Sequence, residues 1–468
     1  MADKQTFKMT DGRIGPMMIA FILPLIGSSI FQQLYNTADF FFVGNFLGKT
    51  AAAAVGASSS LVVCSIGLFS GISLGTGVVI AQAIGAGKEE KADRALHSSF
   101  VFGLIGGLLL MVLGMLFAPA VLRFLDTPEQ VMPEAVRYIR IYFLSLPASI
   151  LYNMGSGALR AWGDSKTPFR ILVICGLVNI LGDYVFICIL PFGIAGVAIA
   201  TIVCQWLSLL MIWHCLVHGN KTIQFSFRKL SVDGQILKSI LHIGLPSGIQ
   251  TIVISLSNVI IQYYINGLGE TAVAAFATYY KVENFIYLPI MAFGQAATTF
   301  SGQNTGAGQF ERIRKGTGLA AGMGVIVTAC IAGVMLLFPE TVFGFFIKDQ
   351  EVVSETMKIA MVSFPFYWLY PIMEVTGGAL RGMGYAVSSM IIILISLCGT
   401  RILLLNIFNC QFGSLSAIAS VYPITWALAA GCFSILFWIV MKRKGKQDEN
   451  VFEAVMKVNT RMYMIKRN

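Results

Sequence analysis

The chain has 468 residues, 56% of them hydrophobic and only 12% charged, with a mean hydropathy of +0.76. Such values exclude a soluble globular protein of this length and place most of the chain in lipid. The net charge of +10 does not point to nucleic acid, because the basic residues are distributed as membrane topology requires.

Apolar runs longer than about 18 residues read as membrane-spanning helices. Twelve are predicted, at 15–46, 51–83, 95–119, 136–159, 169–190, 193–217, 239–266, 271–304, 316–338, 356–380, 387–410 and 414–441. The polar start, Met1 to Lys8, has no short apolar segment with a cleavage site, so no cleaved leader is expected. The first span carries Asp39, preceded by Tyr35 and Asn36 at four and three residues, so the carboxylate has polar company on its own helix face. The second span ends on Gln82-Ala-Ile-Gly-Ala-Gly87, and the fourth on Gly157-Ala-Leu-Arg-Ala-Trp-Gly163. Span five carries Asn179 and, one turn on, Asp183; span six carries Thr201. At about 1.5 Å per helical residue, Asp39 and Asp183 lie roughly 8 to 14 Å from the outer ends of their helices, and Thr201 some 12 Å deep. One shared cation site is therefore geometrically available.

A polar linker, 219–238, separates the first six spans (1–218) from the last six (239–441), and a basic tail, 442–468, follows. In the second group, span eight holds Lys281 and Glu283, span ten Tyr370 and Glu374, and span eleven Arg401. Two acids against two bases allow mutual pairing there. No basic residue is assigned inside the spans of the first group, so Asp39 and Asp183 need neutralising by something that comes and goes. The nine cysteines are scattered through apolar spans and read as small buried hydrophobes, with neither a disulfide framework nor a structural metal site expected.

The basic residues set the orientation. The N-terminus, the even-numbered connections and the tail carry most of them, including Lys88, Lys91, Arg94, Lys221, Arg381 and eight after Met441, whereas the other side has Lys49, Arg123, Arg137, Arg140, Lys348 and Lys358. Both termini are therefore predicted to be cytoplasmic.

The chain repeats itself. Gln82-Ala-Ile-Gly-Ala-Gly87 returns as Gln303-Asn-Thr-Gly-Ala-Gly308, and Gly157-Ala-Leu-Arg returns as Gly378-Ala-Leu-Arg381. The interval from position 82 to position 303 equals that from 157 to 378, and it is the repeat length of the chain. Six spans per half is an even number, so both halves enter the membrane from the same side. The predicted fold is an all-α integral membrane protein with two pseudo-symmetric six-helix lobes, parallel repeats about an axis along the membrane normal, around a central cleft. Taken alone, the shared glycines read as helix ends and the shared arginines as headgroup anchors.

The order Leu23-Pro24, Tyr35-Asn-Thr-Ala-Asp-Phe-Phe-Phe-Val-Gly44, Gln82 to Gly87, Ala158-Leu-Arg-Ala-Trp-Gly-Asp-Ser-Lys-Thr-Pro168 and Val178-Asn-Ile-Leu-Gly-Asp-Tyr-Val-Phe-Ile187 resembles the multidrug and toxic compound extrusion (MATE) family over nearly the whole chain. The resemblance implies a bacterial-type inner-membrane exporter of amphipathic organic cations, driven by inward H+ or Na+ flow. It also implies that Asp39, Asn179, Asp183 and Thr201 bind the coupling cation. No cofactor beyond that ion, no catalytic residue and no nucleic-acid partner are expected, and a monomer in the lipid bilayer is. Tyr35, Asn36, Glu283, Tyr370 and Glu374 are candidates for supporting or cargo-binding roles. One departure stands out: a branch of the family places acids in spans seven and ten, but span seven here (245–267) has none, and Glu374 lies about one turn from the branch's position, where this chain has Tyr370.

Three alternatives stand beside this reading. A lipid-linked saccharide flippase of the same wider superfamily would be expected to line its cavity with bases for pyrophosphate. An intramembrane aspartyl protease would need Gly-x-Gly-Asp, but position 181 is Leu. A channel would show a carbonyl or charge ring, and none is evident.

Overall fold

The computed structural model describes the backbone of residues 8–190, 192–219, 224–411 and 414–465, with side chains for all of these except 60, 409–411 and 446–465. Lys221 and the side chains of the basic tail from 446 onward lie outside the described residues.

The described residues are nearly all helical and contain no strand. The first half comprises α1 (Ile14–Phe42), α2 (Gly48–Gly85), α3 (Glu89–Phe124), α4 (Met132–Phe143), α5 (Leu146–Ala161), α6 (Lys166–Asp183) and α7 (Ile194–His218). The second comprises α8 (Gly234–Asn266), α9 (Glu270–Gly306), α10 (Phe310–Leu337), the short α11 (Pro339–Gly344), α12 (Gln350–Ser363), α13 (Leu369–Gly382), α14 (Ala386–Ile393), α15 (Thr400–Gln411) and α16 (Leu415–Ile465). Wide, π-type turns extend α1 (Val43–Leu47) and α6 (Tyr184–Ile189) and join α14 to α15 (Leu394–Gly399).

The halves repeat at the level of backbone conformation. Gly48 and Gly269, Gly87 and Gly308, and Gly163 and Gly384 all have φ between 67° and 96°, and the members of each pair are one repeat length apart. A side chain rarely tolerates that conformation, so glycine is fixed where the chain turns between spans. The span four and span ten positions are each two helices, broken after Phe143 and at Phe364–Phe366, and Phe143 and Phe364 are again repeat partners.

Nine helical segments among the described residues are long and apolar enough to cross a membrane. The three predicted spans outside that set, 136–159, 271–304 and 356–380, correspond to α4–α5, α9 and α12–α13. Their residues are packed inside the bundle: α5 buries thirteen of its 16 residues, and α9 buries a continuous face from Ala272 to Asn304. Helices α4, α5, α12 and α13 are each too short to cross a membrane alone because their spans are broken in two, and α9, shielded from lipid, needs no apolar outer surface. Helix α3, in contrast, presents Ile105, Leu109, Leu116 and Phe117 outward, as a lipid-facing helix must. The molecule is a multi-pass membrane protein.

The lobes meet backbone to backbone. Gly71 and Gly75 of α2 face Gly244 and Gly248 of α8 so closely that a Cβ at Gly71 would stand 2.2 Å from the Gly248 nitrogen. Small residues permit this approach, which maximises van der Waals contact where no hydrophobic effect operates between helices. Among the described residues, every hydrogen bond found between the lobes lies at the end of the bundle that carries the N-terminal residues and the linker. Gln82 Nε2 donates to Gly382 O at 2.8 Å, and its repeat partner Gln303 donates to Ala161 O, the repeat partner of Gly382, at 2.6 Å. Gln303 Oε1 also accepts from Met9 N at 2.7 Å, and Arg312 donates to Met9 O, Asp11 O and Gly12 O. The repeated Gln-containing motif thus latches one end of the molecule; its glycines do more than end helices, since Gly85 and Gly306 lie against the carbonyls of Gln303 and Gln82.

Candidate functional site

Asp39 stands in the last turn of α1 and Asp183 is the last residue of α6, each just before a wide turn. The two wide turns pack against each other, and this sets the two carboxyl groups close enough to interact. Wide turns reorient the helix surface and recur at functional positions. Asp183 is fully buried. Both of its oxygens, and Asp39 Oδ1, are buried and receive no hydrogen bond from an N–H or hydroxyl among the described residues. Two adjacent ionised carboxylates in so dry a place repel strongly, so the pair needs a proton or a metal cation between its oxygens.

Asn179, 2% exposed, lies one turn before Asp183 on the same helix, and its Nδ2 likewise has no partner among the described residues. Thr201 of α7 donates its hydroxyl to Val197 O at 3.1 Å, leaving the oxygen free to accept or to ligate. Tyr35 is half-buried within electrostatic range of Asp39, whereas Asn36 is exposed. Three neighbours escaped the sequence: Tyr138 and Tyr142 of α4, whose rings are tilted to one another with centroids 5.9 Å apart, and Cys204 of α7, all within electrostatic range of Asp39. Arg137 and Arg140, on α4, are exposed and form no ion pair with the aspartates.

The second lobe holds a different arrangement. A cavity of about 700 Å³, lined by α2, α8, α9, α13, α14, α15 and α16 and by the π-type turns between α14 and α15, runs along α8 from Ser247 to Gln262, roughly 22 Å at 1.5 Å per residue. It extends away from the latched end. Glu283 Oε1 accepts from Tyr367 at 2.7 Å and Tyr279 at 3.4 Å. Glu374 pairs with Arg381 at 2.5 Å, the side chains 11% and 7% exposed, in room left by Gly294. Tyr370 packs between Tyr287, Tyr367 and Trp426 with centroids 5.5 to 5.9 Å apart.

The mutual pairing that two acids and two bases allow does not form among Glu283, Glu374, Lys281 and Arg401. Lys281 is exposed, Arg401 pairs with neither acid, and Glu374 takes Arg381. The sequence places Arg381 at the surface, but it follows Glu374 at a spacing of seven, two helical turns, and folds back along α13. The cysteines also divide: Cys175, Cys204 and Cys398 are buried, while Cys64, Cys188 and Cys330 are exposed on an apolar surface.

The repeat relation sharpens the contrast between lobes. One repeat length after Asp39, Asn179, Asp183 and Thr201 stand Ile260, Thr400, Leu404 and Tyr422; one repeat length before Glu283, Glu374 and Arg401 stand Val62, Asn153 and Ile180. The scaffold is symmetric and the chemistry is not. Among the described residues no cluster of three or more His, Cys, Asp or Glu with metal-binding spacing occurs.

Comparison with known proteins gives the same picture. The MatE family model matches residues 24–185 and again 246–407, one match in each half. The chain is 27% identical over 407 residues to the probable multidrug resistance protein YoeA of Bacillus subtilis (strain 168), covering 85% of this chain and 87% of the relative. It is 24% identical over 398 residues to a protein of Shewanella oneidensis named as an FAD transporter, covering 84% and 87%. A solved outward-facing conformation of a multidrug resistance MATE family transporter of the MOP superfamily superposes with a TM-score of 0.89 at 23% identity, covering 95% of this chain and 99% of the other.

Proposed function

We propose, from the premise that this chain belongs to the MatE family of membrane transporters, that it exports amphipathic small molecules by cation-coupled antiport. As a transporter and not an enzyme, it needs two alternating shapes and a reason to change between them. The observation that carries the reading is the mutually adjacent Asp39–Asp183 pair, three of whose four oxygens are buried and lack donors among the described residues. A group that cannot stay as it is must exchange something, and H+ or Na+ entering from the open end satisfies it.

Asp39 and Asp183 hold the coupling ion, with Asn179 and Thr201 supplying further oxygens when it is Na+. Neutralisation removes the repulsion between α1 and α6 and lets their wide turns repack, so that the ion shifts the equilibrium by its differential affinity for the two shapes. Cargo occupies the second-lobe cavity, where Glu283 favours a cationic group and aromatic walls favour a planar apolar body. The multidrug name of the Bacillus relative supports a broad apolar cargo. The latched end is cytoplasmic, as are both termini, and the membrane is the inner one, in keeping with the basic residues at that end. The protein acts as a monomer.

The test is efflux from proteoliposomes with pH and sodium gradients imposed separately. Efflux of ethidium that follows neither gradient, together with a defect in envelope saccharide on deleting the gene, would replace this reading with the flippase.

A further inference from the structure

Two buried guanidinium groups line the second-lobe cavity, and they are treated differently. Arg381 is neutralised by Glu374. Arg401, 4% exposed, takes part in none of the ion pairs found among the described residues. Its guanidinium carbon lies 4.9 Å from the centre of the Tyr422 ring, one terminal nitrogen donates a long 3.4 Å bond to Thr425 Oγ1, and Nε is buried with no acceptor among the described residues. A guanidinium presents five donors in a planar fork, and a buried charge left unmatched costs several kcal/mol. A stack on tyrosine, one long hydrogen bond and Glu283 at electrostatic range leave the fork without a bidentate acceptor.

Glu283 is the carboxylate on the same cavity that Arg381 leaves free, yet it turns to Tyr367 and Tyr279 instead of Arg401. Opposite charges therefore face one cavity without touching, among the rings of Tyr280, Tyr370, Tyr422 and Trp426. Tyr280 and Tyr422 are joined hydroxyl to hydroxyl at 2.6 Å, which fixes the ring on which Arg401 lies. A fork held at a fixed orientation suits bidentate recognition of a carboxylate.

We infer that Arg401 is the receptor for an acidic group on the cargo, so that the preferred cargo is a planar aromatic zwitterion, with its cationic end toward Glu283 and its carboxylate on Arg401. The inference rests on the export reading above and narrows its cargo class.

A matched pair of dyes tests it. Rhodamine 110 is a xanthylium cation with a free carboxylate, and rhodamine 123 is its methyl ester. Binding of each to the purified full-length protein is read by fluorescence anisotropy. The expected result is that the acid binds about tenfold more tightly than the ester, the worth of one charge-assisted bidentate contact. Arg401→Gln should lower that ratio to within about twofold while the ester still binds, at least as tightly as before because a repelling charge has gone, which also shows the variant to be folded; Arg401→Lys should keep several-fold of the ratio. Glu283→Gln should weaken both dyes alike. Equal binding of the two dyes by the unaltered protein, a preference for the ester, or an acid preference that survives Arg401→Gln overturns the inference while leaving export of cations standing. Failure of both dyes to bind overturns the inference and the cargo reading together.

Discussion

The latch at the linker end makes a quantitative prediction about the conformational equilibrium. Gln82→Ala removes one hydrogen bond between lobes, and Gln303→Ala removes two, to Ala161 O and from Met9 N. At about 1 kcal/mol net per hydrogen bond, the open-to-closed ratio at this end should rise about fivefold in the first variant and about thirtyfold in the second. If one molecule in a hundred is open in the unaltered protein, Gln303→Ala should open about a quarter of them. Nitroxide labels on cysteines placed at the exposed Lys88 and Arg314, in a background free of native cysteine, report the separation by pulsed electron resonance. A second, longer distance should appear in Gln303→Ala and be weaker in Gln82→Ala. An unchanged distance distribution in Gln303→Ala would show that backbone packing alone closes this end and that the hydrogen bonds are incidental.

Asp39→Asn and Asp183→Asn should be inserted and as stable as the parent, since each relieves an unpartnered charge, but should lose gradient-driven efflux; full coupled efflux in both would make the pair structural. Glu374→Gln should lower stability by about 3 kcal/mol because Arg381 stays behind, buried and unpaired, and Glu374→Gln with Arg381→Met should recover most of it in thermal unfolding; an unchanged melting temperature for the single variant would sink this. Asp233 caps α8 through bonds from Gln235 N and Ile236 N. The backbone bonds, chiefly from Ile236, and the nearby Arg94 hold its carboxyl below the ordinary 3.8. A depressed carboxylate stabilises the fold fully above its unfolded value and loses that contribution as pH falls through the lower folded value. The cap should therefore weaken only below about pH 4, and Asp233→Asn, which still caps, should flatten the acid limb of a stability-pH curve; an unaltered limb would refute the assignment.

Much of this was legible because lipid enforces simple rules. Long apolar runs gave the spans, and an acid inside such a run draws attention whatever its neighbours, so Asp39 and Asp183 could be singled out. Tyr138, Tyr142 and Cys204 could not, because in an apolar span they look like packing. Arg381 was misplaced for a related reason: an arginine near a helix end ordinarily reaches for headgroups, and only the spacing of seven from Glu374 hinted that it turns inward. Its repeat partner Arg160 has Asn153 where Arg381 has Glu374, so the repeat itself argued against the pairing that the structure contains.

Under the proposed function, an ion in one lobe must be coupled to a cargo in the other, and α2 offers a continuous path. Its first turns pack with Val43 of the wide turn after Asp39 and with Tyr138, through Ala51 and Ala54. Its middle lines the cavity with Ser70, Gly71 and Leu74 and lies against α8 at glycine contacts that leave no slack. Its last turns carry Gln82 and Gly85 into the latch. A 38-residue helix moves as a rod over short distances. A repacking of the aspartate pair that tilts its first turns must therefore change the glycine contacts and strain the latch in the same motion. Coupling then requires no message between lobes beyond the displacement of one helix that both of them touch.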